Sequence, residues 1–563
     1  MILQPIIDVA EICARKGISD AILSPGSRCA LLTIGFAKHK NIRAKTISDE
    51  RSAGFIALGI AQESKNPVAL ICTSGTAVLN YGPAIAEAYF NHVPLLVITA
   101  DRPPQWINQN DGQTIYQENV YGKHVKGFFS LLSEYRTQDS VDKVTAIVSQ
   151  AYNLCASYPA GPVHINVPID EPFYPTREEK ITFSSGLKIT NHPKKHKTNQ
   201  KFIPSKFTNA LKLYERILIV GGQDYLSQEL LEQFNLPEYS SIPIIGDIIT
   251  NLHPLDKVIR HPDLYLSRLE DKILKQLKPD LLITFGRSII SKNLKLYLRK
   301  FKASAHWHIQ PDGHVPDAYR SITDNIKMYP VSFFSELSGC LSNNNQSYFN
   351  KWWEIEKKAK GNLNEFLESG QWGELKAAKV IMKSLPLDSH LHLANSMPVR
   401  LANFIGLQAV QGDIEVFANR GTSGIDGTNG SAMGASMATD KPVVLLTGDM
   451  AFLYDRNAFW HNYPQGNFRV IVLNNHGGGI FGMIDGPANQ EEFEEYFLTN
   501  QPLTARKTAE EFGLGYTLVE NEDQLNNVIG GFFSESQVPK ILEIITDNSA
   551  NQAIFKRLKS IKF

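Results

Sequence analysis

Cysteine is scarce in this chain, and nothing about its five copies suggests pairing. Cys13, Cys29, Cys72, Cys155 and Cys340 form no CxxC pair and show no metal-ligand spacing. An odd, scattered set argues against a disulfide framework or a zinc centre and reads as reduced thiols in a cytoplasmic protein. Long hydrophobic runs are absent too: no stretch approaches the roughly 18 uninterrupted apolar residues of a membrane span. Met1 to Gly17 sets Ile6, Val9, Ala10, Ile12 and Cys13 at helical spacing and lacks the basic start and apolar run of a signal peptide. Nor does either sign of charge dominate. Lys+Arg and Asp+Glu both total 57, so no net field draws the chain to nucleic acid or to an anionic membrane. Recognition of anions must come from a local group of arginines.

What is present is ordinary core-forming material in quantity. The 563 residues are 43% hydrophobic, and at roughly 150 residues per domain they make three or four domains. Up to residue 180, short β-branched runs (Ala21–Leu23, Val68–Cys72, Val93–Thr99) alternate with helical patterns at Arg51–Glu63 and Ala77–Tyr89. Such alternation predicts an α/β fold with a mainly parallel sheet. Residues 181–205, with Lys194, Lys195 and Lys197 among polar residues, read as a linker. A second α/β unit is expected over 206–345, with strands at Ile217–Val220, Leu281–Phe285 and His306–Ile309. Its Val220-Gly221-Gly222 lacks the GxGxxG spacing of a dinucleotide site. The polar run Ser342–Ser347 leads to a third unit over 346–563, first a long helical region, Tyr348–Leu385. Strands follow at His390–Ala394, Glu415–Ala418, Val443–Leu446 and Arg469–Leu473. The outer units share a style that the middle one does not.

The most specific chemistry is Gly448-Asp449 followed by Asn474-Asn475, with Asn475 lying 26 positions after Asp449. Each acid or amide follows an apolar strand, so adjacent parallel strands would bring both to one carboxyl edge, where open α/β sheets bind ligands. A hard divalent cation takes carboxylate, amide and carbonyl oxygens together with phosphate. The run Gly477-Gly478-Gly479 lets the backbone approach a diphosphate and offers a carbonyl, that of Gly477. Either dipeptide alone would read as a turn. Asp49-Glu50-Arg51, at the start of a helix, would likewise read alone as an acid placed on the helix dipole.

Together these residues resemble the Gly-Asp…Asn-Asn pattern of thiamine-diphosphate enzymes. Further words narrow the likeness. They are Ser24-Pro25-Gly26-Ser27-Arg28, Ser48-Asp49-Glu50-Arg51-Ser52, Thr73-Ser74-Gly75-Thr76-Ala77, Thr99-Ala100-Asp101-Arg102-Pro103-Pro104, Gly161-Pro162-Val163-His164-Ile165-Asn166, Asn395-Ser396, Asn419-Arg420-Gly421 and Ser423-Gly424-Ile425-Asp426-Gly427. This series resembles the family of 2-succinyl-5-enolpyruvyl-6-hydroxy-3-cyclohexene-1-carboxylate synthases of menaquinone biosynthesis, over nearly all of the outer units and loosely over the middle one.

The resemblance implies three α/β domains, for the aminopyrimidine, the middle and the diphosphate. Thiamine diphosphate and Mg²⁺ (or Mn²⁺) would lie between the first domain of one subunit and the third of another, in a homodimer or dimer of dimers. It implies decarboxylation of 2-oxoglutarate and 1,4-addition of the succinyl carbanion to isochorismate. Glu50 would be the catalytic residue, bonding N1′ of the aminopyrimidine so that the imino nitrogen takes the thiazolium C2 proton. With Glu50, residues Thr76, Ile425, Gly448, Asp449, Asn475 and Gly477 would hold the cofactor, and the last three, Asp449, Asn475 and Gly477, would also hold the metal. Both substrates are dicarboxylates, and arginine forks suit carboxylates. Arg28, Arg102, Arg400 and Arg420 match the family's words, with Lys292, Gln113, Ser27 and Ser396 as further donors. Ile480, Phe481 and Ile484 resemble the lining for the second substrate. Ile425, Ile480, Phe481 and Ile484 also read as plain core packing.

The chain departs from the family's pattern at Asn293, where an arginine is common after the lysine, and at Gly112, where Asn-Gln is common. His476, inside the Asn-Asn stretch, reads as a loop residue turned away from the chemistry. Two alternatives stay open: another thiamine-dependent 2-oxoacid decarboxylase or carboligase, and a non-catalytic relative. The first acts on smaller monoacids and would not need these arginines. The second should have lost Glu50, Asp449 or Asn475.

Overall fold

Strands form where Val, Ile and Leu follow one another with both faces covered, as in Val68–Cys72 and Leu281–Phe285, buried at every position. The computed structural model describes residues 3–561 without 172, 177, 191–201, 342–344 and 484–485, so Lys194, Lys195, Lys197 and Ile484 lie outside the described residues. Among the described residues, eighteen strands make three six-stranded sheets in which every pairing is parallel. The expected α/β class is what the chain adopts.

The first sheet holds β1 (Asp20–Leu23), β2 (Arg43–Thr46), β3 (Val68–Cys72), β4 (Leu95–Asp101), β5 (Phe128–Ser130) and β6 (Val163–Pro168), in the order β2-β1-β3-β4-β6-β5. The second holds β7 (Ile217–Gly221), β8 (Ile244–Gly246), β9 (Val258–Ile259), β10 (Leu281–Phe285), β11 (Ala305–Ile309) and β12 (Asp324–Ile326), in the order β12-β11-β10-β7-β8-β9. The third holds β13 (His390–Leu393), β14 (Glu415–Ala418), β15 (Val443–Gly448), β16 (Phe468–Asn474), β17 (Gly515–Val519) and β18 (Lys540–Ile545), in the order β14-β13-β15-β16-β18-β17. First and third sheets therefore share one strand order, while the middle sheet has the 3-2-1-4-5-6 order of a doubly wound domain.

Two expected helices are each divided. Ala77–Tyr89 is two helices, Thr76–Asn80 and Gly82–Phe90, meeting at Tyr81. Pro83 lies in the first turn of the second, where a missing N–H costs nothing. The buried Tyr81 hydroxyl donates to the Ile71 carbonyl oxygen (2.8 Å). Tyr348–Leu385 is Gln346–Glu368 and Glu374–Ser384, separated by a segment that includes Gly370 and Gly373, poor helix formers. The first of these helices places Tyr348 and Trp352 in the middle domain's core, and its end, Leu363 and Leu367, in the third domain's.

Residues 178–190 form neither helix nor strand, but they lie along the Gln4–Lys16 helix. Arg15 donates to the carbonyl oxygens of Ser184 and Ser185, and Ser184 N–H donates to Asp8. The five cysteines are all free. No helix of the described residues is long and apolar enough to cross a membrane.

Helices Glu50–Ser64 and Thr428–Ser436 join the outer domains face to face through Gly59, Gly427, Gly430 and Gly434. This contact fixes where Glu50 begins its helix. Asp49 caps it, accepting from Arg51 N–H, and also accepts from Asn457 Nδ2 (2.8 Å) of the third domain.

Candidate active site

β15 and β16 are hydrogen-bonded neighbours, Gly448 lying opposite Leu473, so Asp449 and Asn475 emerge side by side at the carboxyl edge. Asp449 opens the Asp449–Tyr454 helix, is 3% exposed, and accepts from Gln501 Nε2 (2.7 Å). The two asparagines have different tasks. Asn474 is bolted into the fold, its Nδ2 donating to the buried Glu543 (2.7 Å) and its Oδ1 accepting from His476 N–H. Asn475 donates through Nδ2 to Glu374 Oε1 (2.7 Å) and accepts at Oδ1 from Gly477 N–H (3.1 Å). The three glycines that follow cannot be replaced in place. A Cβ at Gly477 would stand 2.7 Å from the Leu498 carbonyl oxygen, and one at Gly479 would stand 2.7 Å from Asn475 Nδ2.

Burial pushes the Asp449 carboxyl above its usual range. It pushes Glu374 up to about 7, helped by the charge of Asp449 and opposed by the bond from Asn475. Two buried carboxyls thus lie within reach of one another's charge, and Glu374 Oε2 has no partner among the described residues. A buried carboxylate and an amide oxygen beside a second buried carboxyl suit a hard divalent cation bound to a diphosphate, while the Gly477 carbonyl oxygen accepts from Gly479 N–H (3.0 Å). The donor set fits the group. His476 holds a left-handed φ of 62°.

The arginines fall into two pairs. On the first domain, Arg102 pairs with Asp111 and donates to Ser74 Oγ (3.1 Å) and the Gln113 carbonyl oxygen (3.3 Å). Arg28 donates to the Ile169 carbonyl oxygen (2.7 Å) and lies over the Phe173 ring. Burial, then the charge of Arg102, lowers the Arg28 pKa, so each guanidinium lies within range of the other's charge. On the third domain, Arg420 donates to Asn395 Oδ1 (2.8 Å), while its Nε is buried without a partner among the described residues. Arg400 donates to the Ser396 carbonyl oxygen. Burial lowers both pKa values, and Arg400 lowers that of Arg420 further.

Lys292, exposed, opens the Lys292–Lys300 helix of the middle domain. The preceding Ser291 donates to Asp263, whose charge reaches Arg400. Asn293 has its own partners: its Nδ2 donates to the Asp263 carbonyl oxygen (3.0 Å) and to Ser267 Oγ (3.3 Å). Gly112 has open space where a side chain would begin.

Glu50 is half-buried and accepts from Asn80 Nδ2 (3.3 Å). Among the described residues no hydrogen bond joins it to the Asp449–Asn475 group of its own chain. Ser27 and Gln113 are exposed on first-domain loops, Thr76 is exposed at the start of the Thr76–Asn80 helix, and Ser396 is half-buried after β13. Ile425 and Phe481 are each 37% exposed, which plain core packing does not produce, whereas Ile480 packs partly buried against the third domain's core. Phe481 meets Phe497 edge to face.

Several residues of this neighbourhood carry no local sequence signal. Glu374 and Gln501 reach Asn475 and Asp449 from distant parts of the chain. Glu87, buried in the first domain, accepts from Gly421 N–H, Thr422 N–H and Thr422 Oγ1, holding the loop beside Arg420. Asp111 belongs to none of the matched words, and only the fold shows it against Arg102.

Comparison with known proteins agrees with this geometry. Residues 8–120 match the N-terminal TPP binding domain of thiamine pyrophosphate enzymes, 194–393 match their middle domain, and 404–544 match their C-terminal TPP binding domain. A 2-succinyl-5-enolpyruvyl-6-hydroxy-3-cyclohexene-1-carboxylate synthase of Cytophaga hutchinsonii is 44% identical over 99% of this chain and 98% of its own length. Synthases of the same name from Flavobacterium psychrophilum (38%, 97% of this chain and 96% of theirs) and Porphyromonas gingivalis (35%, 96% and 94%) are similar throughout. On this evidence the chain belongs to the 2-succinyl-5-enolpyruvyl-6-hydroxy-3-cyclohexene-1-carboxylate synthase family of thiamine-diphosphate enzymes.

Proposed function

We propose that this chain decarboxylates 2-oxoglutarate and adds the resulting four-carbon unit 1,4 to isochorismate, releasing CO₂ and 2-succinyl-5-enolpyruvyl-6-hydroxy-3-cyclohexene-1-carboxylate. The observation that carries the reading is the two arginine pairs, Arg28 with Arg102 and Arg400 with Arg420, in a chain of zero net charge. Both substrates are dicarboxylates, and a monoacid would leave part of this charge unmatched. The exposed side chains of Gln113 and Ser27 are donors free to meet carboxylate oxygens.

Thiamine diphosphate, when bound, supplies the electron sink for decarboxylation. Asp449, Asn475 and the Gly477 carbonyl would hold Mg²⁺ or Mn²⁺ on its diphosphate, and Thr76 and Gly448 would border the cofactor. Glu50 would hold a proton at N1′ of the aminopyrimidine, and Ile425 would press the cofactor into its bent form. Arg28, Arg102, Arg400, Arg420, Lys292 and Ser396 would orient the two acids, and Ile480, Phe481 and Ile484 would exclude water from the second. The likeness to thiamine-diphosphate enzymes supports a homodimer, or a dimer of dimers, in which each site would take Glu50 from the partner.

The test is isochorismate consumption with 2-oxoglutarate, thiamine diphosphate and Mg²⁺, for wild type and Glu50→Gln. We expect turnover to fall roughly 100-fold or more in the variant while calorimetry still shows cofactor binding. Wild-type protein that releases CO₂ from pyruvate but not from 2-oxoglutarate would overturn the substrate assignment.

A further inference from the structure

We propose that Glu374 is a positioning residue that fixes which end of the Asn475 amide faces the metal. The inference rests on the metal role proposed for Asp449, Asn475 and Gly477. An asparagine side chain has nearly the same shape when its amide is flipped, so only its hydrogen bonds decide where the oxygen points. Here two partners decide it together. Glu374 Oε1 accepts from Nδ2 at 2.7 Å, and Gly477 N–H donates to Oδ1 at 3.1 Å. Flipping the amide would set oxygen against carboxylate and N–H against N–H, losing both bonds. The unflipped amide leaves Oδ1 a second lone pair for a cation.

Glu374 is itself held in place. It begins the Glu374–Ser384 helix, is 3% exposed, and its N–H donates to Asn551 Oδ1 (2.9 Å). Asn551 in turn donates through Nδ2 to Thr546 Oγ1 (2.9 Å), and Thr546 N–H bonds the Asn474 carbonyl oxygen (2.9 Å), at the end of β16. Gly373 permits this approach, because a Cβ there would stand 2.7 Å from Asn551 Oδ1. The chain of contacts thus leaves the metal loop, passes through Glu374 and returns to that loop. A partner that orients a metal ligand is commonly worth 10–100-fold in metal affinity.

The test is Mn²⁺ binding with thiamine diphosphate present, read by the loss of the free-ion paramagnetic resonance signal. Wild type, Asp449→Asn, Glu374→Gln and Glu374→Ala are compared, with melting temperatures measured without metal. Glutamine keeps an acceptor for Asn475 and removes the charge. We expect Glu374→Gln to bind within about 3-fold of wild type and Glu374→Ala to lose roughly 10–100-fold. If Glu374→Ala does not fold without metal, Glu374→Met, which keeps the volume and removes the acceptor, is read in its place. A merely structural role would lower the melting temperature and leave Mn²⁺ affinity unchanged, which overturns the proposal. So does a Glu374→Gln loss equal to that of alanine, since charge would then be what matters. Wild type that binds no Mn²⁺, or Asp449→Asn that binds as wild type does, overturns the metal assignment instead.

Discussion

Gly59 lies so close to Ser431 that a Cβ on the glycine would stand 1.9 Å from the serine's carbonyl oxygen. The reciprocal contact is equally tight: a Cβ on Gly434 would stand 2.0 Å from the Ile56 carbonyl oxygen. The first and third domains therefore meet backbone to backbone, along the helix whose first residue is Glu50.

Replacing Gly59 by alanine should force these helices apart. Neither blocking atom is the end of a flexible side chain, so the cost is at the upper end of overpacking, about 3 kcal/mol. Calorimetric melting should show a lower midpoint for Gly59→Ala. Gly530→Ala, in a helix where nothing lies within 4 Å of the new methyl group, should be neutral or slightly stabilising. Equal midpoints for the two variants would contradict the close-contact account.

Which parts of this arrangement can be read from the residues follows from how far apart the partners lie in sequence. Asp449 and Asn475 were legible because each sits at the end of its own apolar strand, and strand ends share an edge. Glu374 was not, since it meets Asn475 across 101 positions from a helix start with no distinguishing pattern. The break at Tyr81 was hidden because Ala77–Tyr89 keeps its apolar spacing through it. The identical strand order of the outer sheets shows in the sequence only as a shared style, because order depends on crossovers rather than on any local run.

Arg420 offers the clearest probe of the anion site. One nitrogen of its guanidinium is fixed by Asn395 Oδ1, which aims the rest of the fork, and Nε has no protein partner among the described residues. Lysine would keep the charge and lose the fork. Arg420→Lys should lower kcat/KM for at least one dicarboxylate roughly 10–100-fold, the worth of a charged hydrogen bond, about 1.5–3 kcal/mol. Steady-state kinetics with each acid varied in turn gives the answer, and an unchanged kcat/KM for both would remove Arg420 from substrate binding.

Stability should respond to pH in opposite senses at two buried groups. His392, stacked on Phe417, has its pKa pushed down to about 3 by burial, then by His390. Its folded value lies below the unfolded one, near 6.5, so the unfolded chain takes the proton first as pH falls. The stability it contributes is full above pH 6.5 and is lost on acidification, by about 2 kcal/mol at pH 5. Asp455, which accepts from Gly430 N–H (2.8 Å), is pushed up to about 7 by burial. Its folded value lies above the unfolded 3.8, so its contribution is full below pH 3.8 and is lost as pH rises to 7. His392→Gln should therefore gain stability relative to wild type as pH drops from 7 to 5. Asp455→Asn, which keeps an acceptor for Gly430, should lose relative stability over the same interval. Urea titrations at pH 5, 6 and 7 measure both differences, and parallel pH dependences for the two variants would mean that these side chains do not titrate as their burial requires.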